Sequence, residues 1–191
     1  FADGTGTSAS FKEPMGIKTD GTNLYVSDTQ NHRIRKIVIS TGVVTTLAGS
    51  GNQAFADGTG TSASFNLPRD LTIDGTNLYV ADTGNHMIRK IVISTGVVTT
   101  LAGSTSSGYT NATGTSARFK DPYAATIVGG NLYVAEGNHK IRKIVISSGV
   151  VTTFAGSSPG FTDATGTAAK FHYPIGITSD GTNLYVVDHF N

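Results

Sequence analysis

Histidine follows asparagine three times, at Asn31-His32, Asn85-His86 and Asn138-His139, and a variant of the pattern reads Asp188-His189. Imidazoles at equal spacing are the sort of side chain that could ligate a metal around a common axis. The same spacing fits a quieter role. Each His opens a strand and hydrogen-bonds within its own repeat, while the Asp of the preceding turn, Asp28 or Asp82, bonds nearby backbone. A metal site assembled for chemistry is asymmetric, so identical placement in every copy favours architecture, and no metal is expected. His189 breaks the register and stands apart.

Two Asp-Gly-Thr-Gly segments, beginning at Asp3 and Asp57, invite comparison with calcium and phosphate loops. Calcium wants six to eight oxygens from carboxylates at alternate positions. Asp3 and Asp57 stand alone and the third copy has Asn111, so an Asx-turn role is expected instead. No Gly-Lys-Ser/Thr follows and no helix is expected to follow, which removes the phosphate reading. Cysteine is absent, so thiol catalysis, Cys metal sites and disulfides are excluded. No Ser-His-Asp grouping stands out. We therefore expect no catalytic residues and no cofactor.

Eight of the 14 basic residues fall on one kind of strand: Arg33, Arg35, Lys36, Arg89, Lys90, Lys140, Arg142 and Lys143. A basic stripe of this kind is able to contact phosphates. Stacking aromatics are not interleaved with it, which disfavours nucleic acid. The alternative is that the long stems lie along neighbouring strands with their heads in solvent or paired to Asp and Glu. With 14 Lys+Arg against 13 Asp+Glu, the whole-molecule field steers little. No apolar run approaches a membrane span. Abundant Gly, Thr, Ser and Asn suit a secreted or cell-envelope protein, and any export signal is expected to lie outside this sequence, which opens at Phe1.

What positions these residues is a repeat. Phe1-Ala-Asp-Gly-Thr-Gly returns at Phe55, then more loosely from Tyr109 and Phe161, giving units 1–54, 55–108, 109–160 and an incomplete 161–191 in a single body. In the second unit four strands are predicted: Asp70–Ile73, Leu78–Ala81, His86–Ile93 and Val97–Ala102. Asp74-Gly75 marks a hairpin, Asp82-Thr83-Gly84-Asn85 a polar turn, and Ser94-Thr95-Gly96 a second hairpin. Almost no helix is expected. A long connection, Gly103 to Pro122, ends each unit and is predicted to carry no strand, but to be pinned between sheets by two aromatics ten residues apart, such as Phe55 and Phe65. That connection favours an all-β propeller of four-stranded antiparallel blades over one flat sheet. Three blades would be complete and the inner half of a fourth present. Tyr25, Tyr79, Tyr133 and Tyr185 share one strand position and should pack between sheets.

The segments Pro14-Met15-Gly16-Ile17, Leu24-Tyr25-Val26-Ser27-Asp28-Thr29 and Asn31-His32-Arg33-Ile34-Arg35-Lys36-Ile37 resemble the NHL repeat of β-propeller proteins. The preceding Ala-Asp-Gly-Thr-Gly-Thr-Ser-Ala-Ser-Phe loop is similar to its longer, loop-bearing form. The resemblance covers the whole chain and implies about six blades in a complete propeller. It also implies that some relatives bind RNA through a basic face. The third unit departs from the pattern, with Glu136-Gly137 in place of Asp82-Thr83-Gly84 and Val128-Gly129-Gly130 in place of Asp74-Gly75-Thr76.

Variation concentrates at the mouth of the first strand. The pair before proline reads Lys12-Glu13, Asn66-Leu67, Lys120-Asp121 and His172-Tyr173, and Met15, Arg69, Tyr123 and Ile175 follow it. In a propeller these positions ring one face of the central channel, where binding loops sit on a rigid scaffold. The rim candidates are Lys12, Glu13, Met15, Asn66, Arg69, Lys120, Asp121, Tyr123, His172 and Tyr173. Three functions fit: a non-enzymatic scaffold offering this rim to a protein or glycan, a metal-dependent lyase- or lactonase-like enzyme, and a structural repeat protein built for self-assembly. The inner strands offer mainly Gly, Ile, Thr, Ser and Leu, which disfavours the enzyme. Ending at Asn191, the chain is expected to be part of a longer propeller or to close a ring as a homo-oligomer.

Overall fold

The computed structural model describes residues 1–191, and each repeat forms one antiparallel sheet. The first contains β1 (Gly4–Thr5), β2 (Pro14–Thr19), β3 (Asn23–Asp28), β4 (Arg33–Val38) and β5 (Val43–Ala48), ordered β1-β5-β4-β3-β2. The second contains β6 (Gly58–Thr59), β7 (Pro68–Ile73), β8 (Asn77–Asp82), β9 (Met87–Val92) and β10 (Val97–Gly103), ordered β6-β10-β9-β8-β7. The third runs in sequence order through β11 (Pro122–Val128), β12 (Asn131–Glu136), β13 (Lys140–Val145) and β14 (Val150–Ala155). β15 (Pro174–Ser179) and β16 (Leu184–Asp188) form the fourth. Helix is confined to three-residue 3-10 turns such as Thr83–Asn85.

Turn chemistry fixes the registers. In the first hairpin Asp74 Oδ1 accepts the N–H groups of Thr76 and Asn77 at 2.9 and 2.7 Å, while Gly75 takes the left-handed φ of 93° that the tight turn needs. Asp74 Oδ2 accepts the hydroxyl of Tyr79 at 2.8 Å, locking strand to turn. Asp20 and Tyr25 repeat the bond, and burial followed by the Asp20 carboxylate pushes the Tyr25 hydroxyl up to about 12. The third repeat solves the turn differently: Gly129 and Gly130, at φ 54° and 75°, join β11 to β12 directly.

The long connection is not free of strand. β1 pairs with β5 through Gly4↔Val44 and Thr5↔Val43, and β6 pairs with β10 through Val98↔Gly58 and Val97↔Thr59. The third repeat keeps the isolated bridge Thr113↔Val150. The connection therefore adds a fifth, outermost strand to its own sheet before turning inward. A two-residue pairing at an edge has too little periodicity to register in sequence.

Arginine is what holds that connection down. Arg35, Arg89 and Arg142 are fully buried, with their heads paired to Asp and Glu, the second of the two alternatives expected for them, and not in solvent. Arg89 Nη1 donates to Asp82 Oδ2 at 2.9 Å and Ser64 O at 3.1 Å, and Nη2 to Asp57 Oδ1 at 2.7 Å and Ala56 O at 2.8 Å. Asp3 likewise takes Arg35 at 2.6 Å and Asn111 takes Arg142 at 2.8 Å, so these loop residues bond across 31 or more positions rather than capping their own turn. Burial pushes Asp82 up to about 6 and Glu136 up to about 7, with the neighbouring arginine opposing the shift in each case.

The chain divides into two compact bodies, residues 1–85 with 89–99, and residues 86–88 with 100–191. In the first, Tyr25, Ile34 and Ala48 cluster with Phe65, Leu71, Leu78, Val80, Ile91 and Val98. The second gathers Ala124, Ala135, Ile141 and Ile177, flanked by Tyr133, Phe171 and Leu184. Tyr25 and Tyr79 are buried as expected, but Tyr133 is half-buried against Phe154 and Tyr185 is 54% exposed. In the second and third repeats the second aromatic of the pair, Phe65 or Phe119, is fully buried, while Phe11 and Phe171 are half-buried. The first lies outside in every repeat and sits against a cation in three, with Phe1 3.7 Å from the Arg33 guanidinium, Phe55 4.9 Å from Arg89 and Tyr109 5.0 Å from the Lys140 ammonium.

Candidate binding rim

Four residues that precede proline take left-handed backbone: Glu13, Leu67, Asp121 and Tyr173, at φ 49°, 50°, 49° and 58°. A non-glycine residue held there costs of order 1–3 kcal/mol and needs surroundings that over-determine it. The carboxylate that ends the next strand supplies the first hold. Asp28 accepts Lys12 N–H at 2.8 Å, Asp82 accepts Asn66 N–H at 2.8 Å, Glu136 accepts Lys120 N–H at 3.2 Å, and Asp188 accepts His172 N–H at 2.6 Å. The extra methylene of Glu136 spans the turn that is one residue shorter in the third repeat.

Histidine supplies the second hold, and not within its own repeat as expected. His32 Nδ1 accepts Leu67 N–H at 3.1 Å, His86 Nδ1 accepts Asp121 N–H at 3.2 Å, and His139 Nδ1 accepts Tyr173 N–H at 3.2 Å. Each His is itself left-handed, at φ 53°, 57° and 61°, which throws its ring forward onto the next repeat's turn. Accepting at Nδ1 requires the neutral Nε2–H tautomer. Burial, then the charges of Arg33 and Lys12, lowers the affinity of His32 for a second proton. For His139 burial acts first, then His172, Lys140 and Lys120.

The side chains carried on these turns point to different outcomes. Arg69 and Tyr123 are skipped by the strand ladder, which passes from Pro68↔Asp82 to Asp70↔Ala81 and from Pro122↔Glu136 to Ala124↔Ala135. Such bulges re-aim one side chain. In the first body Lys12, Glu13 and Met15 are exposed, and Asn66 and Arg69 half-buried. Met15 lines an apolar groove of about 280 Å3 with Phe11, Ile17, Val26 and Ile37. Asn66 packs on Gly84, where an added Cβ would lie 2.5 Å from its Cγ.

In the second body Lys120 is exposed, while Asp121, Tyr123, His172 and Tyr173 are half-buried. Gly137 N–H donates to Lys120 O at 2.9 Å, and the Tyr123 ring lies against Gly137. His172 and Tyr173 join a ring cluster that sequence reasoning assembled only in part. His139 lies 5.0 Å from Tyr173 and 5.5 Å from His172, and Phe190 lies 5.3 Å from His172 and 5.5 Å from Tyr173. His189 stacks on Phe190 at 4.5 Å. The available signal was the fourth turn, where His189-Phe190 replaces Thr29-Gln30 and Thr83-Gly84. Nowhere do three His, Asp or Glu side chains gather as metal ligands would.

No family model matches the chain. Among curated relatives, NHL repeat-containing protein 2 of Bos taurus is 41% identical over 101 residues, covering 50% of this chain and 14% of the relative. The same protein of Gallus gallus is 29% identical over 227 residues, covering 99% of this chain and 31% of the relative. The chain thus spans less than a third of the curated relatives it matches. Solved structures similar in fold include an auxiliary nutrient binding protein from Bacteroides thetaiotaomicron, at TM-score 0.72 and 19% identity over 91% of this chain and 44% of that one. The nidogen/laminin complex gives 0.67 at 18% identity over 95% of this chain and 57% of that one. A streptogramin B lyase gives 0.64 at 14% identity over 100% of this chain and 52% of that one. The resemblance to NHL-repeat, β-propeller-like proteins is borne out by sequence and by fold.

Proposed function

We propose that this NHL-repeat chain is a non-enzymatic interaction scaffold, one propeller segment over residues 1–191, which offers its pre-proline rim to a protein or glycan outside the cell or at its envelope. One observation carries the reading. Four strained turns are each gripped by a carboxylate, and three of them also by a histidine, yet the residues displayed there differ in size, charge and aromaticity. A rigid scaffold under variable side chains is how recognition loops are built. The fold alone does not choose among functions, since similar folds occur in a nutrient binding protein, a nidogen/laminin complex and a lyase. A lyase- or lactonase-like site needs converging ligands, and this chain gathers no such set.

The experiment is an unbiased glycan and peptide array probed with the 191-residue chain, followed by the triple variant Arg69→Ala, Tyr123→Ala, Tyr173→Ala. Binding that the wild type shows and the variant loses, with circular dichroism and melting unchanged, supports the rim. Binding retained by a folded triple variant moves the site elsewhere.

A further inference from the structure

The third repeat changes one residue of the arginine clamp. Arg35 meets two carboxylates, Asp28 at 2.8 Å and Asp3 at 2.6 Å, and Arg89 meets Asp82 and Asp57 at 2.9 and 2.7 Å. Arg142 meets one, Glu136. The place of Asp3 and Asp57 is taken by Asn111, whose Oδ1 accepts Arg142 Nη2 at 2.8 Å and Thr153 Oγ1 at 3.3 Å. A guanidinium bonds an ionised acceptor more strongly than a neutral one, so the clamp is better served by aspartate. The amide oxygen does all of this bonding. Nδ2, the atom that aspartate lacks, takes no part in it.

Two residues on stands Thr113, which makes Asn111-Ala112-Thr113 the one Asn-x-Ser/Thr triplet in the chain. Such a triplet, with x other than proline, is the acceptor pattern for an Asn-linked oligosaccharide. The threonine belongs to the repeat, returning as Thr5, Thr59 and Thr165, so the asparagine alone turns a structural loop into an acceptor. Asn111 and Thr113 are both exposed. The backbone between them is fixed, since Ala112 O accepts Val151 N–H at 2.8 Å and Thr113 bridges Val150. Tyr109, two residues earlier, is 64% exposed with its ring 5.0 Å from the Lys140 ammonium. Lys140 and Arg142 lie two positions apart on β13 and so share a face of the sheet. Ring and amide therefore stand side by side.

We propose that Asn111 is the attachment site of an Asn-linked oligosaccharide, with the apolar face of its first sugar laid on the Tyr109 ring. The donor is an oligosaccharide carried on a lipid diphosphate. Nδ2 forms the new bond to C1 of the first sugar, the C–O bond to the diphosphate breaks, the lipid diphosphate leaves, and Nδ2 gives up one of its two protons. The product amide keeps its oxygen, so the bonds to Arg142 and Thr153 survive. The glycan stands at the outer edge of the third sheet, where β14 is covered by a single bridge and not by a two-residue strand. A bulky solvated group there keeps the edge from pairing with another chain. The innermost strand β11, which carries the rim, lies at the other side of that sheet. The proposal rests on the extracellular part of the proposed function and not on the rim.

The full chain, secreted from a eukaryotic cell behind a cleavable export signal, tests it by intact and peptide mass. The wild type is expected to carry one oligosaccharide on the peptide containing Asn111, removed by an amidase specific for Asn-linked glycans. Asn111→Asp copies the clamp of Asp3 and Asp57, so it should fold and lose the added mass entirely. Thr113→Ala should lose it and Thr113→Ser keep it. Ala54→Thr gives exposed Asn52 an acceptor pattern and reports that the chain met the transferase. Glycan at Asn52 with none at Asn111 overturns the proposal. If Tyr109→Ala leaves unchanged the rise in melting temperature that the glycan confers, the contact with the ring is overturned. Native protein found outside its cell without the glycan overturns the site, whereas native protein confined inside overturns the extracellular reading on which it rests.

Discussion

In the second body one nitrogen faces two atoms of one residue: His86 Nδ1 lies 3.2 Å from both the backbone nitrogen and Oδ1 of Asp121. The ring accepts the backbone N–H, and the carboxylate of the same residue lies at the same distance. Leu67 and Tyr173, held by His32 and His139, bring no carboxylate of their own.

His32 and His139 have their proton affinity lowered in the folded protein, so the unfolded chain binds the extra proton more readily. Their contribution is present above the unfolded value of about 6.5 and is lost as pH falls below it. His32→Leu should reduce stability at neutral pH by about 1 kcal/mol by orphaning Leu67 N–H, and should flatten the acid side of the curve. Urea unfolding at a series of pH values measures both, and an unchanged acid limb would remove His32 from the account.

Glu136 runs the opposite way. Its folded value is raised from 4.5 to about 7, so its contribution is full at low pH and is lost as pH rises through about 7. Glu136→Gln removes that titration. Melting temperature followed between about pH 5 and about pH 8 should fall less steeply in the variant than in wild type.

Arg89→Met leaves Asp82 buried without its cation and releases the loop carbonyls of Ala56 and Ser64. Breaking a buried pair from one side costs about 3–5 kcal/mol. Arg89→Lys should restore little, because one ammonium cannot reproduce four directed bonds to Asp82, Asp57 and two carbonyls. Guanidinium denaturation of the three proteins decides it.

Equal sequence positions should behave unequally. Tyr79→Ala removes a buried ring and is expected to cost about 3–5 kcal/mol. Tyr185→Ala removes an exposed ring and one hydrogen bond to Asp180, and should cost less than about 1 kcal/mol. Comparable losses at both positions would show that Tyr185 is covered in solution.

The sequence by itself determined the period, the all-β class and the hairpin turns. These are local signals: Asp74-Gly75 chooses its turn from its own dihedral freedom, and the alternation around Leu78 and Val80 states a strand without reference to anything distant. Copy number helped, because four registers of one pattern reinforce each other. Only tertiary structure decided the partners. Nothing in the order of residues says that Asp57 will meet Arg89, 32 positions away, rather than cap its own turn. Nor does it say that His32 will serve Leu67. The tyrosines make the point most plainly: Tyr25 and Tyr185 share one motif and one hydrogen bond to the turn aspartate, yet one is buried and the other exposed. Burial belongs to the neighbouring sheet that covers a face, and that is information a repeat does not carry within itself.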